Sequence, residues 1–184
     1  MTASPSNEHF LAFSDHCNLY HYNLNSTNLD NKLIYFKEIT AGSHHNKIID
    51  VSTCVRKPLI TTVSSDQTLK IWNYKNNSCE ISKNFHQDVS CVSLHPNGLH
   101  VLVGFVDKLR LMNLLLEDLR LFKEFPIRNF RFADFSNGGH LFAATYGTII
   151  MIYSFSNFNL LQSLQAHSQR IIASCWGGSI SSDQ

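Results

Sequence analysis

The sequence predicts an all-β chain built from repeated four-stranded units. Three observations predict it. Short β-rich runs alternate with period two between Ser, Asp and Asn turns. The pattern recurs at about 40 residues. A histidine stands three or four residues ahead of the first strand in several copies.

The clearest copy lies at Pro58–Glu80. Leu59–Val63 is an apolar and β-branched run that ends in the polar turn Ser64–Thr68. Leu69–Tyr74 follows, with Leu69, Lys70 and Ile71 alternating, and a second turn occupies Lys75–Ser78. Alternation bounded by such clusters is a hairpin signal. Val101–Asn113 repeats it, with Asp107-Lys108 at the turn. Leu141–Ser154 repeats it again, with Tyr146-Gly147 at the turn, and Phe10–Asn23 is an earlier partial copy. Trp72, Met112 and Tyr153 close the corresponding strands, and Asn23, Asn73 and Asn113 close or follow three of the copies. His44, His86 and His167 precede Ile48, Val89 and Ile171. The turns His95-Pro96-Asn97-Gly98 and Ser136-Asn137-Gly138-Gly139 also correspond.

One such sheet cannot bury both faces alone, and stacking around an axis solves that. The expected architecture is an incomplete β-propeller over residues 1–176, with a polar tail at 177–184. A partial first blade covers about 1–39, with strands near 9–14, 18–24 and 33–39. Full blades cover 40–85 (48–54, 58–64, 68–74, 79–85), 86–125 (89–95, 100–105, 108–113, 118–124) and 126–165 (129–135, 140–146, 148–154, 159–165). A fifth starts at Arg170–Trp176 within 166–176. A helix through Leu109–Phe125 is the competing local reading, and the alternation together with the period favours the hairpin. Propellers close with about 4–8 blades, so further blades are expected outside this chain.

This pattern resembles the WD40-repeat family. There a His, a second-strand Ser or Thr, a turn Asp and a third-strand Trp form a hydrogen-bonded structural tetrad. His44, Thr62, Asp66 and Trp72 match it, with Trp-Asn in place of Trp-Asp. The other blades match in part. His86 and Asp107 are joined by Val103 and Met112. Ala144 and Tyr153 stand in the next blade, and His167 opens the last. Apolar packing is expected to hold those blades.

Two segments, Gly104–Leu115 and Phe135–Ala144, resemble the WD-repeat-protein-sixty-five family of cilia- and flagella-associated proteins. The resemblance covers roughly residues 40 to 176. It implies a non-catalytic interaction scaffold in the cytoplasmic cytoskeleton, at the ciliary axoneme. The implied protein partners belong to the inner dynein arms or the regulatory complex between doublets. It also implies a long coiled coil after the propellers.

Composition agrees with a binding module. The net charge of +1 supplies no field for nucleic acid or an anionic membrane. No stretch approaches the roughly 20 apolar residues of a membrane span. Five scattered cysteines, Cys17, Cys54, Cys79, Cys91 and Cys175, without a C-x-x-C, argue against a disulfide framework and a zinc site. Cys54 and Cys91 are expected on first strands facing a core. Nucleophile-elbow, Walker and dinucleotide-binding motifs are absent, so no catalytic residue, metal or cofactor is expected. The remaining histidines read as solvated turn residues. Phe122, Phe125, Phe130, Phe132 and Phe135, around Arg128 and Arg131, read as inter-blade packing rather than a base-stacking surface. A non-ciliary adaptor and a hydrolase on a propeller scaffold are the alternatives.

Overall fold

A computed structural model describes residues 43–127 and 130–177, preceded by four strand segments at 2–3, 10–15, 18–23 and 34–35. The described residues contain strands and no helix. The first sheet comprises β1 (Thr2–Ala3), β2 (Phe10–Asp15), β3 (Asn18–Asn23) and β4 (Ile34–Tyr35). The second comprises β5 (Ile48–Thr53), β6 (Leu59–Ser64), β7 (Thr68–Asn73) and β8 (Ser78–Asn84). The third comprises β9 (Val89–Leu94), β10 (His100–Phe105), β11 (Leu109–Leu114) and β12 (Leu119–Phe125). The fourth comprises β13 (Phe130–Phe135), β14 (Leu141–Tyr146), β15 (Ile149–Ser154) and β16 (Leu160–Gln165).

Each sheet is an antiparallel meander whose spatial order follows the chain. Leu109–Phe125 forms the β11–β12 hairpin, with Leu109 opposite Phe125 and Leu114 opposite Leu119. The first sheet adds the two-residue β1 to the three strands expected, too short to leave a periodic trace in sequence. Strand β5 lies beside β9, β9 lies beside β13, and β1 and β2 lie against β5. The sheets are thus incomplete propeller blades, set side by side along their first strands.

Apolar side chains fill the spaces between sheets. Leu69, Ile71 and Val63 meet Val92, Val101, Val103 and Met112 between the second and third. Leu102, Leu109, Leu111 and Phe125 meet Ala133, Phe135, Phe142 and Ala144 between the third and fourth. Cys54 and Cys91 are buried in these two cores. A register shift recurs at one place in the second, third and fourth sheets: Ile71/Trp72, Leu111/Met112 and Ile152/Tyr153. Such bulges increase local twist.

The expected fifth-blade strand at Arg170–Trp176 is not a strand among the described residues. A first strand pairs within its own sheet only with the strand that follows it, and no such strand is described here. Ile171 is nevertheless buried, and Trp176 Nε1 donates to the Asp134 carbonyl at 3.2 Å.

Candidate functional site

The second sheet draws four polar side chains into one chain of hydrogen bonds. The indole Nε1 of Trp72 donates to Thr62 Oγ1 at 2.8 Å. Thr62 Oγ1 lies 2.7 Å from His44 Nε2, and His44 Nδ1 lies 3.3 Å from Asp66 Oδ2. Burial holds the His44 ring below its ordinary pKa despite the opposing Asp66, so the ring is neutral near pH 7. Its proton then sits on Nδ1, donated to Thr68 Oγ1 at 2.9 Å and, at longer range, to Asp66, while Nε2 accepts the Thr62 hydroxyl. Every donor in the series has an acceptor.

Local structure explains how this arises. Asp66 closes the β6–β7 turn, accepting the Thr68 hydroxyl at 2.5 Å and the Thr68 N–H at 3.0 Å. It also accepts the His45 N–H at 2.9 Å, tying the segment before β5 to the turn. Burial opposes ionisation of Asp66, but these bonds and the His44 ring outweigh it and bring the carboxyl down to about 2. Thr62 sits at the centre of β6, a strand buried along its whole length.

The partial equivalents are not joined in this way. His86 is exposed, with φ at 52°, and its N–H donates to Asn84 Oδ1. Asp107 pairs only loosely with Lys108, at 3.7 Å. Met112 is buried in the second–third core. Tyr153 stacks on Phe142 at 5.1 Å, and His167 is exposed. Val103 and Met112 offer no polar partner, so the neighbouring His and Asp turn to solvent.

The reading of the remaining histidines as solvated turn residues is corrected at His95, a turn histidine that is buried, only 6% exposed. Its ring packs between Phe135 at 4.7 Å and Phe155 at 4.6 Å in the next blade. Nδ1 accepts the Asn97 N–H at 3.1 Å, so Nε2 carries the proton and donates to the Gly139 carbonyl at 3.0 Å. Gly139 has a φ of 77°, and a Cβ there would meet His95 Nε2 at 2.5 Å. The turn stays glycine because it must both turn and admit the ring. His100 is half-buried, with Nδ1 2.9 Å from Asn113 Oδ1. His45 and His140 are exposed, as expected.

The aromatic cluster divides. Phe125 and Phe135 pack between blades, whereas Phe122 is exposed. Arg131 lies over the half-buried Phe132 at 5.8 Å. Arg128 and the Phe130 side chain lie outside the described residues.

The polar links between blades leave no sequence signature. The Val92 N–H donates to Asp50 Oδ2 at 2.9 Å, and the Leu94 N–H to Ser52 Oγ at 2.9 Å. In the next blade the Phe135 N–H donates to Ser93 Oγ at 3.1 Å, and Ser93 donates to Asp134 Oδ1 at 2.8 Å. Burial pushes the Asp50 and Asp134 carboxyls up. It also pushes the Cys91 thiol far up and Cys79 up, the opposite of what activates a nucleophile. Among the described residues no group of three or more His, Cys, Asp or Glu is placed to hold a metal ion. No helix there is long and apolar enough to cross a membrane.

These shifts predict an acid profile. His44 and His95 are lowered in the folded chain, so the unfolded chain binds more protons below its histidine pKa of about 6.5. Stability is present above that pH and falls as the pH drops through it. Asp66 adds a second loss as the pH falls from about 4 to its folded value of about 2. Asp50 and Asp134 act in the opposite sense, favouring the fold as they protonate at their raised values. Urea denaturation between roughly pH 8 and 6 reads the histidine phase separately. A flat profile there would show that the two rings are not held neutral.

A family model described as "WD domain, G-beta repeat" matches residues 36–73. "Cilia- and flagella-associated protein 57" of Mus musculus is 40% identical over 174 residues, which cover 94% of this chain and 14% of that protein. "Cilia- and flagella-associated protein 57 A" of Tetrahymena thermophila is 44% identical over 112 residues, 61% of this chain and 9% of that protein. The "57 C" protein of the same organism is 40% identical over 133 residues, 65% of this chain and 10% of that protein. The chain therefore spans at most 14% of the length of these three relatives. Its repeated sheets, the matched repeat and these identities together make it a WD40-repeat chain, homologous to one segment of the proteins named cilia- and flagella-associated protein 57.

Proposed function

We propose that this chain is a non-catalytic protein-interaction scaffold, forming part of an axonemal protein at the inner dynein arms of motile cilia. Its homology to proteins named for cilia and flagella carries this reading. The use of its polar side chains agrees with it. His44, Thr62, Asp66 and Trp72 satisfy one another, acting as a structural tetrad that stiffens the blade, and the raised thiols are unsuited to nucleophilic attack. Stiff blades hold loops in fixed positions, which is how a scaffold presents partner-binding side chains. The propeller unit runs over residues 1–176, and its partners are inner-arm or inter-doublet regulatory proteins.

The test is to express the full chain with a small tag in a ciliated cell and prepare demembranated axonemes. The tag should stay with the axonemes and cross-link to inner-arm or regulatory-complex subunits. Complete release with the detergent-soluble fraction, or cross-links confined to non-ciliary adaptors, would remove the axonemal assignment.

A further inference from the structure

One corner is built twice between neighbouring sheets. Cys54 and His95 each follow the first strand of their sheet, and their N–H groups close matching turns on the Leu59 and His100 carbonyls, each at 2.9 Å. Both side chains are buried, each 6% exposed. Cys54 reaches into the β9–β10 turn and His95 into the β13–β14 turn, each beneath a glycine of positive φ: Gly98 at 65° and Gly139 at 77°. A Cβ on Gly98 would meet Cys54 Sγ at 3.0 Å, and one on Gly139 would meet His95 Nε2 at 2.5 Å. A thiol therefore fills the socket between the second and third sheets, and an imidazole fills it between the third and fourth.

The two plugs differ in their response to protons. Cys54 Sγ donates to the Pro96 carbonyl at 3.3 Å, and a thiol that already carries its proton takes up no other as the pH falls. His95 makes both of its bonds only as a neutral ring, since Nδ1 accepts the Asn97 N–H while Nε2 donates to the Gly139 carbonyl. A proton on Nδ1 sets two N–H groups against each other and leaves the Asn97 donor without its acceptor in a buried turn. The surroundings oppose the added charge. His100 of β10 lies 5.7 Å from the ring, and Arg56 of the β5–β6 turn acts in the same sense. Lys57 of that turn donates to the Gly98 carbonyl. On the fourth sheet His140 follows Gly139, and Asp134 is engaged by the Ser93 hydroxyl.

We propose that His95 is a proton-operated latch on the seam between the third and fourth sheets. With the ring neutral the fourth sheet's turn is held, and with the ring protonated that seam opens ahead of the one between the second and third sheets. Burial keeps His95 below its ordinary pKa, so the closed seam binds fewer protons than the open one. The opening equilibrium then grows by up to about tenfold per pH unit as the pH falls below the ordinary histidine value of about 6.5. It levels off once the ring of the closed seam is itself protonated.

The test is residue-resolved amide hydrogen exchange on the purified full chain at roughly pH 7.5 and 5.5, corrected for the intrinsic pH dependence of exchange. The Phe135 N–H, donated to Ser93, reports the third–fourth seam, and the Leu94 N–H, donated to Ser52, reports the second–third. Protection at Phe135 should fall by up to about tenfold, and by more than at Leu94. His95→Cys copies the neighbouring socket and should remove that excess while β-sheet circular dichroism is retained. Constant protection at Phe135, an equal fall at Leu94, or an excess that persists in folded His95→Cys would overturn the proposal. Should His95→Cys fail to fold, the two amides of the unaltered chain decide: an excess fall at Phe135 that begins near the histidine value supports the latch, and parallel profiles overturn it.

Discussion

Replacing Trp72 with alanine is expected to lower stability by about 3–5 kcal/mol, the range for removing a large buried aromatic side chain. Trp72 is buried, and its ring lies edge-on to His44 at 6.3 Å. Alanine would remove the packing and also the donor to Thr62. Thr62 would still bond His44, so the damage comes from the cavity and one lost hydrogen bond. Trp72→Phe separates the two: it keeps most of the volume and forfeits only the bond, at about 1 kcal/mol. In a domain of this size the alanine change corresponds to a fall in Tm of roughly 10 °C, read by circular dichroism. Equal losses from phenylalanine and alanine would mean that the hydrogen bond, not the packing, holds the blade.

Phe142→Ala is expected to cost a similar amount, about 3–5 kcal/mol, but in another place. Phe142 is completely buried, stacked on Tyr153 and edge-on to Phe125 at 5.5 Å and Phe135 at 6.1 Å. It therefore joins the third and fourth sheets where no equivalent of the Trp72 network exists. Repeat architectures hold together through nearest-neighbour contacts, so the loss should be local. Hydrogen exchange should show β13–β16 losing protection while β5–β8 keep theirs. A uniform loss over all sheets would show that the blades open as one unit.

The contrast between these blades reflects how each was written in the chain. His44, Thr62, Asp66 and Trp72 could be grouped from sequence because four residue types fall at the family's offsets in one repeat. His86, Asp107 and His167 keep the spacing alone. Without a hydroxyl at Val103 or an indole at Met112 there is nothing for them to bond, and the structure leaves them at the surface. Thr68, which bonds both Asp66 and His44, was open to inference from its place two residues after a turn Asp.

The sequence by itself determined the strands of the second, third and fourth sheets, their grouping and the meander order. Those depend on alternation, turn residues and neighbours close in the chain, all of which are local. Tertiary structure decided the burial of His95, the Asp50, Ser52, Ser93 and Asp134 rungs, and the unformed strand at Arg170–Trp176. The ring and the rungs each depend on a group 41 to 44 residues away, brought near only when one blade is laid against the next, and the strand depends on a following strand that is not described here. A single repeat carries no record of what its neighbour presents.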